Sequence, residues 1–269
     1  MKSDRTPVNA AIKEPRGPVD KIRTRWGFIF RSFRLNIRTL LACKSLIDDY
    51  RHELKTINLG ERSPVGWFTY PFLEHLGSCD LSKSKVFEWG GGYSSLMWSD
   101  RCKKVVTVES NSQWFEYIKS RSLDLENMDL ILAQDRDSYI GYFDEHRGSD
   151  IVLIDGRWRY DCAATVLEKI SPSAVIILDN SEWCPDTCSL LRARGYARID
   201  FPGFGPCNQF TWCTSIFFKS LDNPLLNPVN CPSSAGGILL ERSGYMFAGE
   251  HEKAPENSEE QCRKTHPIT

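Results

Sequence analysis

The sequence predicts an α/β domain built on a doubly wound, mostly parallel sheet of seven strands, with an antiparallel last strand. Short apolar runs alternate with amphipathic segments between residues 85 and 195, as expected for parallel strands linked by crossover helices. Runs such as 150–155 are apolar throughout and end in an acid, which is typical of strands covered on both faces. With 269 residues and 41% apolar side chains, the chain can bury one substantial core.

The predicted elements follow in order along the chain. Strands are expected near 85–89, 104–109, 129–133, 150–155, 173–179, 196–201 and 210–219, and helices near 92–99, 111–121, 158–170 and 185–194. Apolar side chains recur at helical spacing from Ala163 to Ile170, and Ser171-Pro172 then ends that helix. The alternation stops after residue 195, where the last two strands follow each other across the loop 202–206. That break predicts the antiparallel end of the sheet.

A run of three glycines joins the first predicted strand to the first of these helices. Glycines are needed where the backbone turns sharply and approaches a ligand closely, and we expect Gly90 and Gly92 to matter more than Gly91. Glu109 lies nineteen residues after Gly90, at the end of the second strand. Parallel pairing would place this acid beside the turn, where it can accept the ribose hydroxyls of an adenosine-bearing ligand.

Two details of the turn bear on which ligand it binds. The third glycine of a dinucleotide fingerprint would fall at Ser95, and Glu88 precedes the first glycine by two residues. A carboxylate does not help a pyrophosphate at a helix N-terminus, but it suits a sulfonium or an amino group. The pattern Glu88-x-Gly90-x-Gly92 resembles motif one of the class I S-adenosylmethionine-dependent methyltransferases. A dehydrogenase, or a turn that only packs tightly, is the alternative.

The resemblance covers roughly residues 60–220 and implies a binding site for S-adenosylmethionine. The residues it implies as cofactor-binding are Glu88, Trp89, Gly90, Gly92, Tyr93, Ser94, Glu109, Ser110, Asp135 and Asp155. Gly90, Gly92 and Tyr93 would hold the methionine end, and Glu109 the ribose. Gln134-Asp135 would meet the adenine edge. The antiparallel last strand agrees with this family, since dinucleotide-binding folds lack it.

Three oxygen donors follow two neighbouring predicted strands. Asp155 ends one strand and Asp179-Asn180 end the next, so all three are expected at one sheet edge. Hard oxygen donors suit Mg²⁺. In this respect the chain resembles the metal-dependent, catechol O-methyltransferase-like branch of the family, which implies a metal site at Asp155, Asp179 and Asn180. The alternative is that Asp179-Asn180 caps the next helix.

The same resemblance implies the catalytic residues Asp155, Arg159 and Tyr160. The family usually offers a lysine as general base where this chain has Trp158 and Arg159, and an arginine does not give up its proton. An aromatic wall for the acceptor is expected from Trp158, Tyr160, Trp183 and Phe204.

The sequence predicts that the chain is divided into four regions. We expect a disordered lead at 1–20, a basic amphipathic helical extension at 21–60, the methyltransferase domain at 61–247, with a short strand at 237–241, and a disordered tail at 248–269. Residues 1–55 hold thirteen Lys and Arg against six Asp and Glu, although the whole chain carries −1. This extension is expected to form a lid over the cleft, with peripheral contact to an anionic membrane or to nucleic acid as alternatives.

Ten cysteines are expected to be free thiols, with a zinc clip at Cys184 and Cys188 as the alternative. The sequence shows no signal peptide, no membrane span and no recognised RNA motif, so a cytoplasmic location is predicted.

The predicted activity is methyl transfer from S-adenosylmethionine to an oxygen of a small or carbohydrate-like acceptor, assisted by a divalent cation. The alternatives are metal-independent transfer to nitrogen, a sugar or a nucleotide, and a catalytically silent binding protein.

Overall fold

The structure, a computed structural model, describes residues 66–206 and 210–229. The predictions for the lead at 1–20, the extension at 21–60, the short strand at 237–241 and the tail at 248–269 lie outside the described residues. No helix within the two described ranges is long and apolar enough to cross a membrane.

Strands and helices alternate as predicted. The strands are β1 (Lys85–Trp89), β2 (Lys104–Glu109), β3 (Met128–Leu132), β4 (Ile151–Ile154), β5 (Val175–Leu178), β6 (Ala197–Gly203) and β7 (Trp212–Phe218). The helices are α1 (Tyr70–Gly77), α2 (Tyr93–Arg101), α3 (Ser112–Arg121), α4 (Arg136–Gly141), α5 (Arg159–Lys169) and α6 (Pro185–Ala193). Short 3₁₀ turns lie at Tyr142–Glu145, Ser181–Trp183 and Pro224–Leu226. Helices α1 and α4 were not predicted.

The seven strands form one sheet in the order β3-β2-β1-β4-β5-β7-β6, with β3 and β6 at its edges. Strands β1 to β5 pair in parallel, and β7 runs antiparallel to both β5 and β6. Trp89 at the end of β1 pairs with Val108 on one side and Ile154 on the other. This register places the carboxyl ends of β1, β2 and β4 side by side. The predicted fold class is confirmed.

Helices cover both faces of the sheet. One apolar cluster packs α1, α2 and α3 against one face, through side chains such as Phe72, Trp98 and Ile118. A second cluster packs α4, α5 and α6 against the other face, through side chains such as Tyr139 and Leu191. Because β1, β4 and β5 contribute to both clusters, they are buried on both sides, which accounts for the uninterrupted apolar runs of β4 and β5.

Six cysteines lie in the described part of the chain, and all six are free. Burial raises the pKa of the Cys102 thiol to about 12 and also raises that of Cys162. Among the described residues, no cluster of three or more His, Cys, Asp or Glu side chains is placed to hold a metal ion, and this includes Cys184 and Cys188.

Candidate functional site

The turn after β1 is in direct backbone contact with the turn after β4. Gly90 has a φ of +91°, and its amide donates to the carbonyl of Val108 at 2.9 Å. A Cβ on Gly90 would lie 2.5 Å from the amide nitrogen of Gly156, and one on Gly156 would lie 2.0 Å from the hydroxyl of Tyr139. Only glycine fits at either position, because side chains would meet backbone or a buried ring.

The two following glycines differ in what surrounds them. A Cβ on Gly91 would lie 2.8 Å from Cγ2 of Thr107, whereas the nearest atom to a Cβ on Gly92 would be 3.7 Å away. Gly92 has extended backbone, which any residue adopts, and a Cβ there would make only ordinary van der Waals contacts with Ser94 and Trp114. For the packing of the protein itself, a side chain is therefore harder to accommodate at Gly91 than at Gly92. The expected order of importance for ligand binding stays a prediction.

Glu88 lies beneath the turn rather than on its open side. Its carboxylate is fully buried and accepts hydrogen bonds from Ser94 Oγ at 2.5 Å, from Thr107 Oγ1 at 2.8 Å and from Ser95 Oγ. These bonds tie the start of α2 to β1 and β2. Burial raises the pKa of Glu88 to about 7, the three hydroxyls oppose that rise, and the nearby Glu109 carboxylate adds to it.

Glu109 is oriented by backbone amides at the end of β2. Its Oε2 accepts from Gly91 N at 2.9 Å, and its Oε1 accepts from Ser110 N at 2.7 Å and Asn111 N at 2.6 Å. An ionised carboxylate has about four lone-pair sites. Because three amides already donate to the carboxylate, Oε2 can accept from one further hydroxyl without rearrangement. The sequence predicted that Glu109 would accept from a pair of ribose hydroxyls.

A cleft of about 410 Å³ opens above these turns. Its lining comprises Trp67, Gly90, Gly91, Gly92, Tyr93, Ser94, Glu109, Ser110, Asn111, Trp114, Asp155, Gly156 and Arg157. A smaller cleft of about 290 Å³ shares Ser110, Asn111 and Arg157 with it and extends to Gln134. The combined space is of the size that small-molecule sites occupy.

The cleft brings together seven of the ten residues predicted to bind a cofactor. These are Gly90, Gly92, Tyr93, Ser94, Glu109, Ser110 and Asp155. The other three lie elsewhere. Glu88 is buried below the turn, Trp89 is buried with its Nε1 donating to Tyr139 O at 2.8 Å, and Asp135 is exposed and caps α4 by accepting from Ser138 N at 2.9 Å.

Asp155 and Arg159 form an ion pair at the end of β4. The Arg159 guanidinium donates through Nη2 to Asp155 Oδ1 at 3.0 Å and to the Asp155 carbonyl at 2.8 Å. Its Nε donates to the Gly156 carbonyl at 3.0 Å, and its Nη1 donates to the carbonyl of Asp179. Burial raises the pKa of Asp155 to about 7, Arg159 opposes the rise, and the Glu88 and Glu109 carboxylates reinforce it. Arg159 therefore links the turns that follow β4 and β5.

Asp179 faces β7 instead of joining Asp155. Its Oδ1 accepts from Trp212 Nε1 at 3.2 Å and from Thr214 Oγ1. Burial raises its pKa well above the usual range. Asn180 has a φ of +45° and begins the 3₁₀ turn at Ser181–Trp183. Arg159 occupies the Asp155 carboxylate, and the β7 side chains of Trp212 and Thr214 occupy that of Asp179. As they are arranged, these oxygen ligands do not fit a divalent cation.

A second, larger cleft of about 890 Å³ lies between the starts of α5 and α6. Trp158, Arg159, Tyr160 and Trp183 line it, and Phe204 does not. Tyr160 and Trp183 expose 49% and 72% of their surface. Trp158 has a φ of +52° and packs its ring against Tyr139, with centroids 5.3 Å apart. Three of the four residues predicted for an acceptor wall therefore line one cleft.

Sequence reasoning missed Trp67, Trp114 and Gly156. Trp114 stands three residues after Asn111, the N-cap of α3, whose side chain accepts from Trp114 N at 3.0 Å. That capping pattern was the available signal for Trp114. Trp67 precedes the first described helix, and no sequence pattern indicated that it would lie near the Gly90 turn.

No protein-family model and no curated protein matches the sequence. Solved structures with similar folds include a precorrin-6y C5,15-methyltransferase from Geobacter metallireducens, at 15% identity, a TM-score of 0.46 and coverage of 55% of this chain and 87% of the other. An rRNA methylase from Streptococcus thermophilus has 13% identity, a TM-score of 0.42 and coverage of 55% and 94%. A precorrin 8W decarboxylase from Methanobacterium thermoautotrophicum has 15% identity, a TM-score of 0.43 and coverage of 58% and 93%. At such identities the likeness concerns the fold alone.

Proposed function

We propose that the protein is an S-adenosylmethionine-dependent methyltransferase acting on a small acceptor. The observation that carries the proposal is the cleft above the Gly90 turn, where a glycine backbone, the Glu109 carboxylate and the Asp155 turn meet around about 410 Å³. A turn built only for packing would have no need to line an open cleft with Gly90, Gly91 and Gly92. The shape and donors of the cleft suit a ligand that joins a ribose to a cationic chain.

The residues present fit the donor molecule in a definite orientation. The ribose would lie at Glu109 Oε2, which has room for a hydroxyl. The adenine would lie toward Ser110, Asn111 and Gln134, where the cleft of about 290 Å³ continues. The methionine end would then lie toward Gly92, Tyr93 and Ser94 at the start of α2.

When bound, the donor would supply a methyl group on a sulfonium: the acceptor oxygen would form an O–CH₃ bond as the S–CH₃ bond breaks, leaving a neutral thioether, and the hydroxyl proton would pass to water. The protein's part is alignment, because the methyl group is already activated. The acceptor would approach from the side of Tyr160 and Trp183, where the lining of the cleft of about 890 Å³ begins at Trp158, next in the chain to Arg157 of the smaller cleft. Arg159 acts as a positioning residue that holds this turn to the turn after β5.

We propose an oxygen of a small or carbohydrate-like compound as the acceptor, because exposed aromatic rings such as Tyr160 and Trp183 offer flat faces to a sugar or an aromatic ring. The variant of this proposal in which no divalent cation takes part is favoured by one observation. Arg159 already places a positive charge on Asp155, at the position where the metal-dependent reaction would need a cation.

The proposal is tested by isothermal titration of the protein with S-adenosylhomocysteine. Wild-type protein should bind it, and Glu109→Ala should weaken binding about tenfold or more, since a charge-assisted hydrogen bond contributes about 1.5–3 kcal/mol. Glu126→Ala, which removes an exposed carboxylate elsewhere, is the matched control. A folded wild-type protein that binds no ligand would overturn the proposal and favour a silent binding protein.

A further inference from the structure

Three aromatic rings surround the open side of the Gly90 turn. Trp67 exposes 44% of its surface, and its ring centroid lies 5.4 Å from that of Tyr93 and 6.4 Å from that of Trp114. All three residues line the cleft of about 410 Å³. Trp114 is held in place by its own indole, whose Nε1 donates to the Gly91 carbonyl. The Trp114 ring is therefore held beside the glycine backbone, and the Trp67 ring packs against it and Tyr93.

Carboxylates line the same cleft. Glu109 and Asp155 lie at its surface, and Glu88 is buried beneath the turn. These carboxylates are close enough to act on one another electrostatically. Arg159 offsets one of them, and Arg157, which also lines the cleft, holds its guanidinium 4.7 Å from the centroid of the Trp158 ring. A group placed between the rings and the carboxylates would be stabilised if it carried positive charge.

We propose that Trp67, with Tyr93 and Trp114, binds the sulfonium of the methyl donor through cation–π contacts, so that the cleft distinguishes charged donor from neutral product. The inference rests on the proposed function and adds to it the side chains that contact the positive charge on the donor's sulfur. Aromatic faces attract a cation within about 6 Å of the ring centroid, and tryptophan does so most strongly. A ring exposed to 44% loses little packing when truncated, so Trp67 can be tested without unfolding the protein.

The alternative use of the same rings is stacking on the adenine. The two roles differ in one measurable respect. S-Adenosylmethionine and S-adenosylhomocysteine share the adenine and differ in the charge on sulfur. Loss of a stacking ring weakens both ligands equally, while loss of a cation–π ring weakens the charged ligand more.

The experiment is titration of both ligands into wild type, Trp67→Ala and Trp67→Phe. The alanine variant should lose about tenfold more affinity for S-adenosylmethionine than for S-adenosylhomocysteine, as expected for a desolvated cation–π contact. The phenylalanine variant should recover part of that difference because it keeps a ring. Leu123→Ala, which truncates an exposed apolar side chain after α3, is the control for truncation itself.

Three outcomes have defined meanings once circular dichroism shows the variants to be folded. A selective loss for the charged ligand supports the inference. Equal losses for the two ligands overturn it and assign the rings to adenine stacking, with the proposed function intact. If folded wild type binds neither ligand, the proposed function itself fails and the inference fails with it.

Discussion

Gly90 and Gly156 touch backbone to backbone, since a Cβ on Gly90 would overlap the Gly156 amide nitrogen at 2.5 Å. The contact joins the turn after β1 to the turn after β4. Both turns line the cleft, so the positions of Glu109 and Asp155 relative to each other depend on this contact. The packing of the site is therefore disturbed by the smallest side chain at Gly90 and tolerates it at Gly92.

Gly90→Ala should destabilise the protein, whereas Gly92→Ala should not. Alanine at a φ of +91° costs about 1–2 kcal/mol, and the overlap with Gly156 adds a similar amount. Gly92→Ala should keep the wild-type stability and weaken S-adenosylhomocysteine binding, because its methyl group enters the space left for the ligand. Urea denaturation and titration measure the two effects.

Gly141→Ala is the control for these glycine substitutions, because a Cβ there has no atom within 4 Å. Equal stability of Gly90→Ala and Gly141→Ala would contradict the close contact between the two turns.

Glu88 should make the protein less stable as the pH rises. Its pKa is raised from an ordinary value of 4.5 to about 7, so the folded state holds a proton that the unfolded chain releases between these values. Stability from this group is present below about pH 4.5 and is lost as the pH rises toward 7. Glu88→Gln removes the titration and should gain up to about 3 kcal/mol relative to wild type between pH 5 and pH 8.

Urea denaturation of wild type and Glu88→Gln at the two pH values tests this effect. The difference between the proteins isolates Glu88 from Asp155 and Glu109, which act on the same carboxylate. A difference that is the same at both pH values would show that Glu88 does not titrate in this range.

Arg159→Met should destabilise the protein by about 3 kcal/mol, since it leaves a largely buried Asp155 carboxylate without its partner. The double variant Arg159→Met with Asp155→Asn should recover part of the loss, because neither charge then stays unpaired. Arg147→Met breaks an exposed pair with Asp144 and should change stability by less than about 1 kcal/mol. Chemical denaturation of wild type, these three variants and the Asp155→Asn single variant measures these energies, and additive losses from the two single variants would refute the coupling.

Divalent cations should not affect ligand binding. Titration of S-adenosylhomocysteine in EDTA and in excess Mg²⁺ should give the same affinity, because Arg159 and the β7 side chains already engage Asp155 and Asp179. If Mg²⁺ increases the affinity and Asp179→Ala abolishes that increase, the result would support a metal-dependent reaction instead.

The sequence predicted the strands well because their signals are local. Strand β1 was placed correctly to the residue, and β4 and β5 to within two, since both are apolar runs that end in an acid. Helix α1 was missed because its eight residues include Pro71, Glu74 and His75 and show no long apolar period. Its burial comes from contacts with strands far along the chain, such as the ring contact of Phe72 with Phe201.

The identities of the acidic residues were predictable, but their directions were not. Glu88 turns inward because Ser94, Ser95 and Thr107 supply three hydroxyls below the turn. Asp179 turns toward β7 because Trp212 and Thr214 supply donors there, and these lie more than thirty residues away. Which way a buried carboxylate points depends on partners that only the folded chain brings together.

The position of β6 at the edge of the sheet has a consequence for solubility. An edge strand offers unpaired backbone groups on which another chain can add a strand and begin to aggregate. In the part of the chain that the structure describes, β6 carries Pro202, which has no N–H to donate, and the ion pair of Arg198 with Asp200. Proline and charge on an exposed edge are the features that discourage such pairing. Replacement of Pro202 by a β-branched residue would therefore create a site for intermolecular sheet growth without touching the cleft.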